Sequence, residues 1–165
     1  MSGVISQSFT TAGSTMVGQN LGARAYRRIN KTLVTVLSIG LGLAALATLV
    51  MAVCPQAVYD IFTTDKEVLA AAGVLTLPII LNFYGSATRS AAFSLINGSG
   101  RAKLNLAIAI IDGVISRMGL AALLGFALKM DCFGFWMGDS LAGFMPLLIG
   151  GVFYLSGRWR EHTPR

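Results

Sequence analysis

Charge is scarce in this sequence, and it is missing in blocks. No Asp, Glu, Lys or Arg occurs in residues 32–59 or 68–88. Residues 104–128 carry only Asp112 and Arg117, and residues 132–157 only Asp139. A helix crosses hydrocarbon with about 20 apolar residues, and each block is that long. Of the 165 residues 12% are charged and 55% hydrophobic, with a mean hydropathy of +0.70. Soluble domains are about 25% charged, so an ordinary soluble domain is excluded. The 19 glycines fit the same reading, because glycine is commoner in membrane helices than in soluble ones.

Metal-ligating residues are equally few. The single His162 lies near the C-terminal end, and Cys54 and Cys132 are far apart in sequence. No zinc ligand set can be assembled from these. With no histidine in the apolar blocks, there is no Ser/His/Asp set and no H-E-x-x-H motif, which argues against a membrane enzyme. Gly98-Ser99-Gly100 is too short for a phosphate loop. The first twenty residues lack a basic n-region, so no signal-peptide pattern is expected. The net charge of +6 sits in short clusters between apolar runs. That is how membrane topology is encoded and is not how nucleic acid is bound, so no nucleic-acid partner is expected.

The blocks predict an all-α, polytopic membrane bundle of about five transmembrane helices, over residues 3–21, 32–53, 68–96, 104–128 and 133–156. Their connections alternate in sign. Arg24, Arg27, Arg28 and Lys31 lie on one side with Arg101, Lys103 and the Arg158, Arg160 and Arg165 tail. Nine of the thirteen basic residues fall there. The positive-inside rule makes that side cytoplasmic, with the C-terminus inside and the N-terminus outside. Residues 1–157 form the membrane unit and 158–165 a basic cytoplasmic tail. Asn97-Gly98-Ser99-Gly100 is a turn. Pro78 and Pro146 fall inside helices, as kinks or hinges. Cys54 and Cys132 both lie toward the outer face, either bridged or as two free thiols.

Polar residues inside the apolar blocks need protein or water around them. At 100° per residue, Gly3, Gln7, Ser14 and Gly18 share one face of the first helix, opposite Ile5, Phe9, Ala12 and Met16. That polar face either glues helices together or lines a cavity. On the third helix Asn82, Ser86 and Arg89 share a face. Arg89 and Asp112 stand at similar depth on either side of the turn, which predicts an ion pair. Arg117 and Asp139 form a second predicted pair, and the four charges sum to zero. Both pairs serve packing, or Asp112 or Asp139 takes part in sodium or proton coupling. A direct Asp112–Arg117 pair is not expected, since five residues of α-helix separate them by about 140°.

The segments VGQNLGARAYRRINK, AAFSLINGSGRAKL, IIDGVISRMGLAALLG and FGFWMGDSLAGFMPLLIGGVFYLSGRWR resemble, in order and spacing, the multidrug and toxic compound extrusion (MATE) transporters. The resemblance covers residues 2–160. That family has twelve helices in two lobes around a substrate cavity. The resemblance implies that this chain corresponds to helices eight to twelve, a partial C-terminal lobe whose partner is the missing N-terminal lobe. It further implies part of a cation-coupled multidrug efflux antiporter in the plasma membrane, exporting amphipathic, often cationic compounds. On that reading it takes no cofactor beyond Na⁺ or H⁺ as coupling ion, and is not active as an isolated fragment. The implied cavity-lining residues are Gln7, Asn82, Ser86 and Arg89, and the implied partners of the chain are an amphipathic drug-like substrate and the membrane lipid. The alternatives are a lipid-linked or polysaccharide flippase of the same superfamily, and a small non-transporting assembly or regulatory protein. Some family members carry an acid midway along the tenth helix, at a position near Gly85 or Ser86 here. This chain has no carboxylate between Glu67 and Asp112, so the resemblance does not locate the ion site.

Overall fold

A computed structural model describes residues 2–55, 58 and 73–160, with side chains from Ser6 onward. Every regular element among them is helical. Three rods come first: α1 (Ser2–Gly22), α2 (Tyr26–Val53) and α3 (Thr76–Gly98). The fourth rod joins α4 (Ala102–Ile110) and α5 (Arg117–Ala122) through a π-helical stretch, Ile111–Ser116, and ends in a second one, Leu123–Ala127. The fifth is α6 (Asp131–Ala142) followed by α7 (Met145–Leu155). A 3-10 turn, Arg158–Arg160, closes the described chain.

The five expected rods are present, with informative shifts at their ends. α2 begins before the apolar block, at Tyr26. Arg27, Arg28 and Lys31 end the apolar run but remain good helix formers. The expected start of the third helix lies outside the described residues. Pro78 sits in the first turn of α3, where its missing N–H costs nothing. Its carbonyl accepts a bond from Ser140 Oγ at 2.7 Å. Pro146 likewise stands at the start of α7, after the break at Gly143–Phe144. The fifth rod is therefore interrupted where a proline's missing N–H and ring break the preceding turn, as a kink at Pro146 requires, and Pro78 likewise follows a turn at Leu75. Cys54 and Cys132 are both free and exposed.

Among the described residues three rods are long and apolar enough to cross a membrane, namely Tyr26–Val53, Ala102–Ala127 and Asp131–Leu155. α1 and α3 are more polar, and α3 need not meet lipid. It is the hub, packed against α1, α2, α6 and α7. The outward faces of the other rods carry exposed Leu46, Leu49, Ile115, Met118, Phe126 and Leu155, as a surface turned to lipid should.

Small residues set the α1–α3 seam. A Cβ on Gly13 would run into the Ser94 hydroxyl, and one on Gly98 would come within 2.6 Å of Val17 Cβ. Ser6 and Ser90 share a hydroxyl–hydroxyl bond of 2.6 Å, and Ser6 Oγ also donates to the Ser86 carbonyl at 3.1 Å. Close backbone approach of this kind is how helices associate without a hydrophobic drive. The face used is Ser6, Thr10, Gly13, Val17 and Leu21. It lies about 70° round the helix from the polar face expected from the wheel. Packing selected the smallest residues and left the longest polar one, Gln7, outside.

The apolar core lies at the basic end of the bundle. Val17, Leu21, Ile29, Leu95, Ile108 and Trp159 bury there. Trp159 is fully buried, stacks on Tyr154 with centroids 5.9 Å apart and meets Tyr26 edge-on at 5.7 Å. Its Nε1 donates to the Tyr154 carbonyl at 3.0 Å. Arg101 Nη2 donates to the Arg158 carbonyl at 2.7 Å. The first residues of the expected tail are therefore part of the folded unit, which extends to Arg160.

Candidate functional site

The intramembrane charges meet where α3, the fourth rod and α6 converge. α3 presents Asn82 and Arg89, two turns apart on one side. The Arg89 guanidinium pairs with the Asp112 carboxylate, and its Cζ lies 5.6 Å from the Phe93 ring centroid. Arg117 Nη1 pairs with Asp139 Oδ1 on α6. Both expected pairs exist.

Contrary to expectation, they are joined. Arg117 Nε lies 3.9 Å from Asp112 Oδ2. The reason is the π-helical stretch Ile111–Ser116. A π turn bonds residue i to i+5 and returns the fifth residue to nearly the same face. An α-helical wheel placed Arg117 too far round. The result is a chain of alternating charge, Arg89–Asp112–Arg117–Asp139. It ends at Asn82, whose Nδ2 is 3.5 Å from Asp139 Oδ2.

Accessibility changes along this chain. The Asp112 side chain is 1% exposed, and Asp139 is 39% exposed. Among the described residues the Asp112 carboxylate has no neutral hydrogen-bond donor, and the buried Ser116 Oγ has no partner. Asp112 thus depends on two guanidinium groups, whereas Asp139 has one guanidinium, one amide and an open side.

The structure brings together Asn82, Arg89, Asp112, Arg117 and Asp139. It does not bring Gln7 or Ser86 to them. Gln7 is exposed on the outer side of α1, and its carbonyl accepts the Thr11 hydroxyl at 2.9 Å. Ser86 turns toward α1 and α2, where its carbonyl accepts bonds from Ser6 and Ser90. It borders an apolar cavity of about 180 Å³ whose walls include Phe9, Gly40, Leu43 and Phe83. The sequence reading did not identify this cavity. Its signal was the recurrence of Ser and Gly on three helices, which marks close packing as readily as a pocket.

Comparison with known proteins agrees with this architecture. The MatE family model matches residues 1–126. The chain is 25% identical over 150 residues to multidrug and toxin extrusion protein 1 of Xenopus tropicalis, covering 91% of this chain and 26% of that protein. It is 25% identical over 142 residues to an uncharacterized transporter of Schizosaccharomyces pombe, covering 86% of this chain and again 26% of the relative. The chain thus spans about a quarter of the length of these relatives. The crystal structure of the eukaryotic MATE transporter AtDTX14 superposes with a TM-score of 0.80 at 20% identity, over 96% of this chain and 36% of that one. With the fold and the family model in agreement, the chain belongs to the MatE family, the membrane transporters that its motifs resemble.

Proposed function

We propose that this chain forms part of a cation-coupled efflux antiporter for amphipathic, often cationic compounds, with Asp139 as the group that exchanges the coupling sodium ion or proton. The observation that carries the proposal is the Arg89–Asp112–Arg117–Asp139 chain with its single accessible carboxylate. Ionised groups inside a membrane are costly and mark ion pathways. Asp112 is sealed in and neutralised from both sides, so it holds the helices. Asp139 can take a cation from its open side.

When it does, its hold on Arg117 weakens. Arg117 keeps Asp112, so the charge balance at the buried end survives while the link from the fourth rod to α6 loosens. A ligand-sensitive link between packed helices provides what alternating access needs, a state whose population shifts on binding. Arg89, held by Asp112 and Phe93, acts as a structural cation. The outward polar stripe of α1, with Gln7 and Thr11, suits a wet cavity shared with the rest of the transporter. The positive-inside rule puts the C-terminus in the cytoplasm, and the exporter role puts the protein in the plasma membrane. The protein acts as a transporter and not as an enzyme.

The test is drug efflux by the complete transporter under an imposed sodium or proton gradient. Asp139→Asn should abolish the response to the gradient at unchanged protein abundance. Asn82→Leu should reduce efflux by about tenfold, the effect of about 1.4 kcal/mol. Gradient-driven efflux that survives Asp139→Asn at normal abundance would overturn the proposal.

A further inference from the structure

The basic end of the bundle holds a second site, independent of the charge chain. Between α1 and α2 the backbone makes a sharp turn in which Arg24 takes a left-handed φ of 53°. Ala25 then caps α2 and has no side chain able to bond the free amides of the first turn. Around this helix start lies a groove of about 540 Å³ lined by Arg24, Tyr26, Arg27, Arg28 and Lys31 together with Ala25. Its four cations are exposed, and none has an ion-pair partner among the described residues. Within α2 the spacing of Arg27, Arg28 and Lys31 by three and four residues stacks like charges on one side, an arrangement that is unfavourable when nothing neutralises it. The Arg160 guanidinium adds a fifth cation at the rim, 5.7 Å from the Tyr26 ring centroid.

The cations, the uncapped amides and the positive end of a 28-residue helix dipole all favour an anion. The continuation of α2 says which kind. On the same exposed side the first apolar residue is Val34, about 4.5 Å along the axis from Lys31. Past Thr35 and Ser38, which are exposed on that side, it is apolar through Leu46, Leu49 and Val53, which are 57%, 59% and 69% exposed. A ligand that fits both parts has an anionic head and a long apolar tail. We propose that the groove at the start of α2 binds the phosphate headgroup of an anionic phospholipid, with its acyl chains lying along the exposed face of α2. Topology alone requires only basic residues near the interface; it requires neither a groove nor uncapped amides within it.

The test uses the purified full chain in detergent and native mass spectrometry with phosphatidylglycerol, phosphatidylcholine or inorganic phosphate as probes. Phosphatidylglycerol should bind at least about tenfold more tightly than phosphatidylcholine, since each basic residue at a membrane surface adds appreciably to the attraction. The preference should shrink as salt rises, because screening shortens the reach of exposed charges. The variant R24Q/R27Q/R28Q/K31Q should bind the two lipids alike. K103Q, which removes a cation at the same end outside the groove, should keep the preference. If the fourfold variant does not fold, R27Q and K31Q singly should each lower the preference about threefold. Equal binding of the two lipids by the native chain would overturn the proposal. So would equal loss in K103Q, which would mean generic charge attraction. Binding of inorganic phosphate as tightly as phosphatidylglycerol would reassign the groove to a free anion.

Discussion

The two sides of α3 hold their neighbours by opposite means. Toward α1 the contact is neutral and close, made by Gly13, Gly98 and the hydroxyls of Ser6, Ser90 and Ser94. Toward the fourth rod and α6 it is ionic, made by Arg89, Asp112, Arg117 and Asp139. Neither can draw on the hydrophobic effect, because lipid is as apolar as leucine. The neutral seam depends on shape and does not respond to ions. The ionic seam depends on charge and changes whenever a carboxylate is neutralised.

The sharpest way to break this contrast is Asp112→Ala. It leaves Arg89 and Arg117 without their shared carboxylate at a fully buried position. Removing one partner of a buried pair costs about 3–5 kcal/mol, and a large fall in melting temperature in detergent is expected. Replacing both partners, Arg89→Met with Asp112→Leu, should restore most of the loss. A neutral single substitution would show that the ionic seam holds nothing.

Gly13→Leu attacks the other seam. The added side chain meets Ser94 and Val36, and overpacking of this sort costs about 1–3 kcal/mol. Its melting temperature should fall whatever the sodium concentration or pH. A cation-dependent loss would erase the distinction between the seams. Gly42→Ala sharpens the comparison from the opposite direction. Nothing lies within 4 Å of the added Cβ, so removing a helical glycine should stabilise the chain by about 0.5–1 kcal/mol. A loss there would mean that α2 has a partner on that side.

Most of the architecture could be read from where charge is absent. Long uncharged blocks admit only helices in a membrane, and among the described residues each of these blocks lies on a rod. Both ion pairs could be placed by depth, because the six-residue π stretch changes the summed rise by less than the reach of an arginine. Rotation was less secure. Arg117 was placed off the Asp112 face because local composition gives no sign of a π turn at 111–116. The face of α1 was misjudged for a different reason. A wheel ranks residues by polarity, whereas the α1–α3 seam is selected by size, so Gly13 and Ser6 won over Gln7. Ser86 shares a wheel face with Asn82 and Arg89, yet it also stands one turn from Ser90 and against Ser6 of α1, and only the packing reveals which contact it takes.

The burial of Trp159 has a consequence for the order in which the protein is made. Val17, Leu21 and Ile29 belong to the first two of the five rods described, but the core they help to build is completed by a residue that follows all five in sequence. Until Trp159 arrives against Tyr26 and Tyr154, the basic end of the bundle stands open. Chains grow at about 5–20 residues per second, so the first rods wait several seconds in the membrane with that end unsealed. Closure of this end therefore follows the synthesis of all five rods. A chain stopped a few residues short of Trp159 would contain every rod and still lack the piece that locks them.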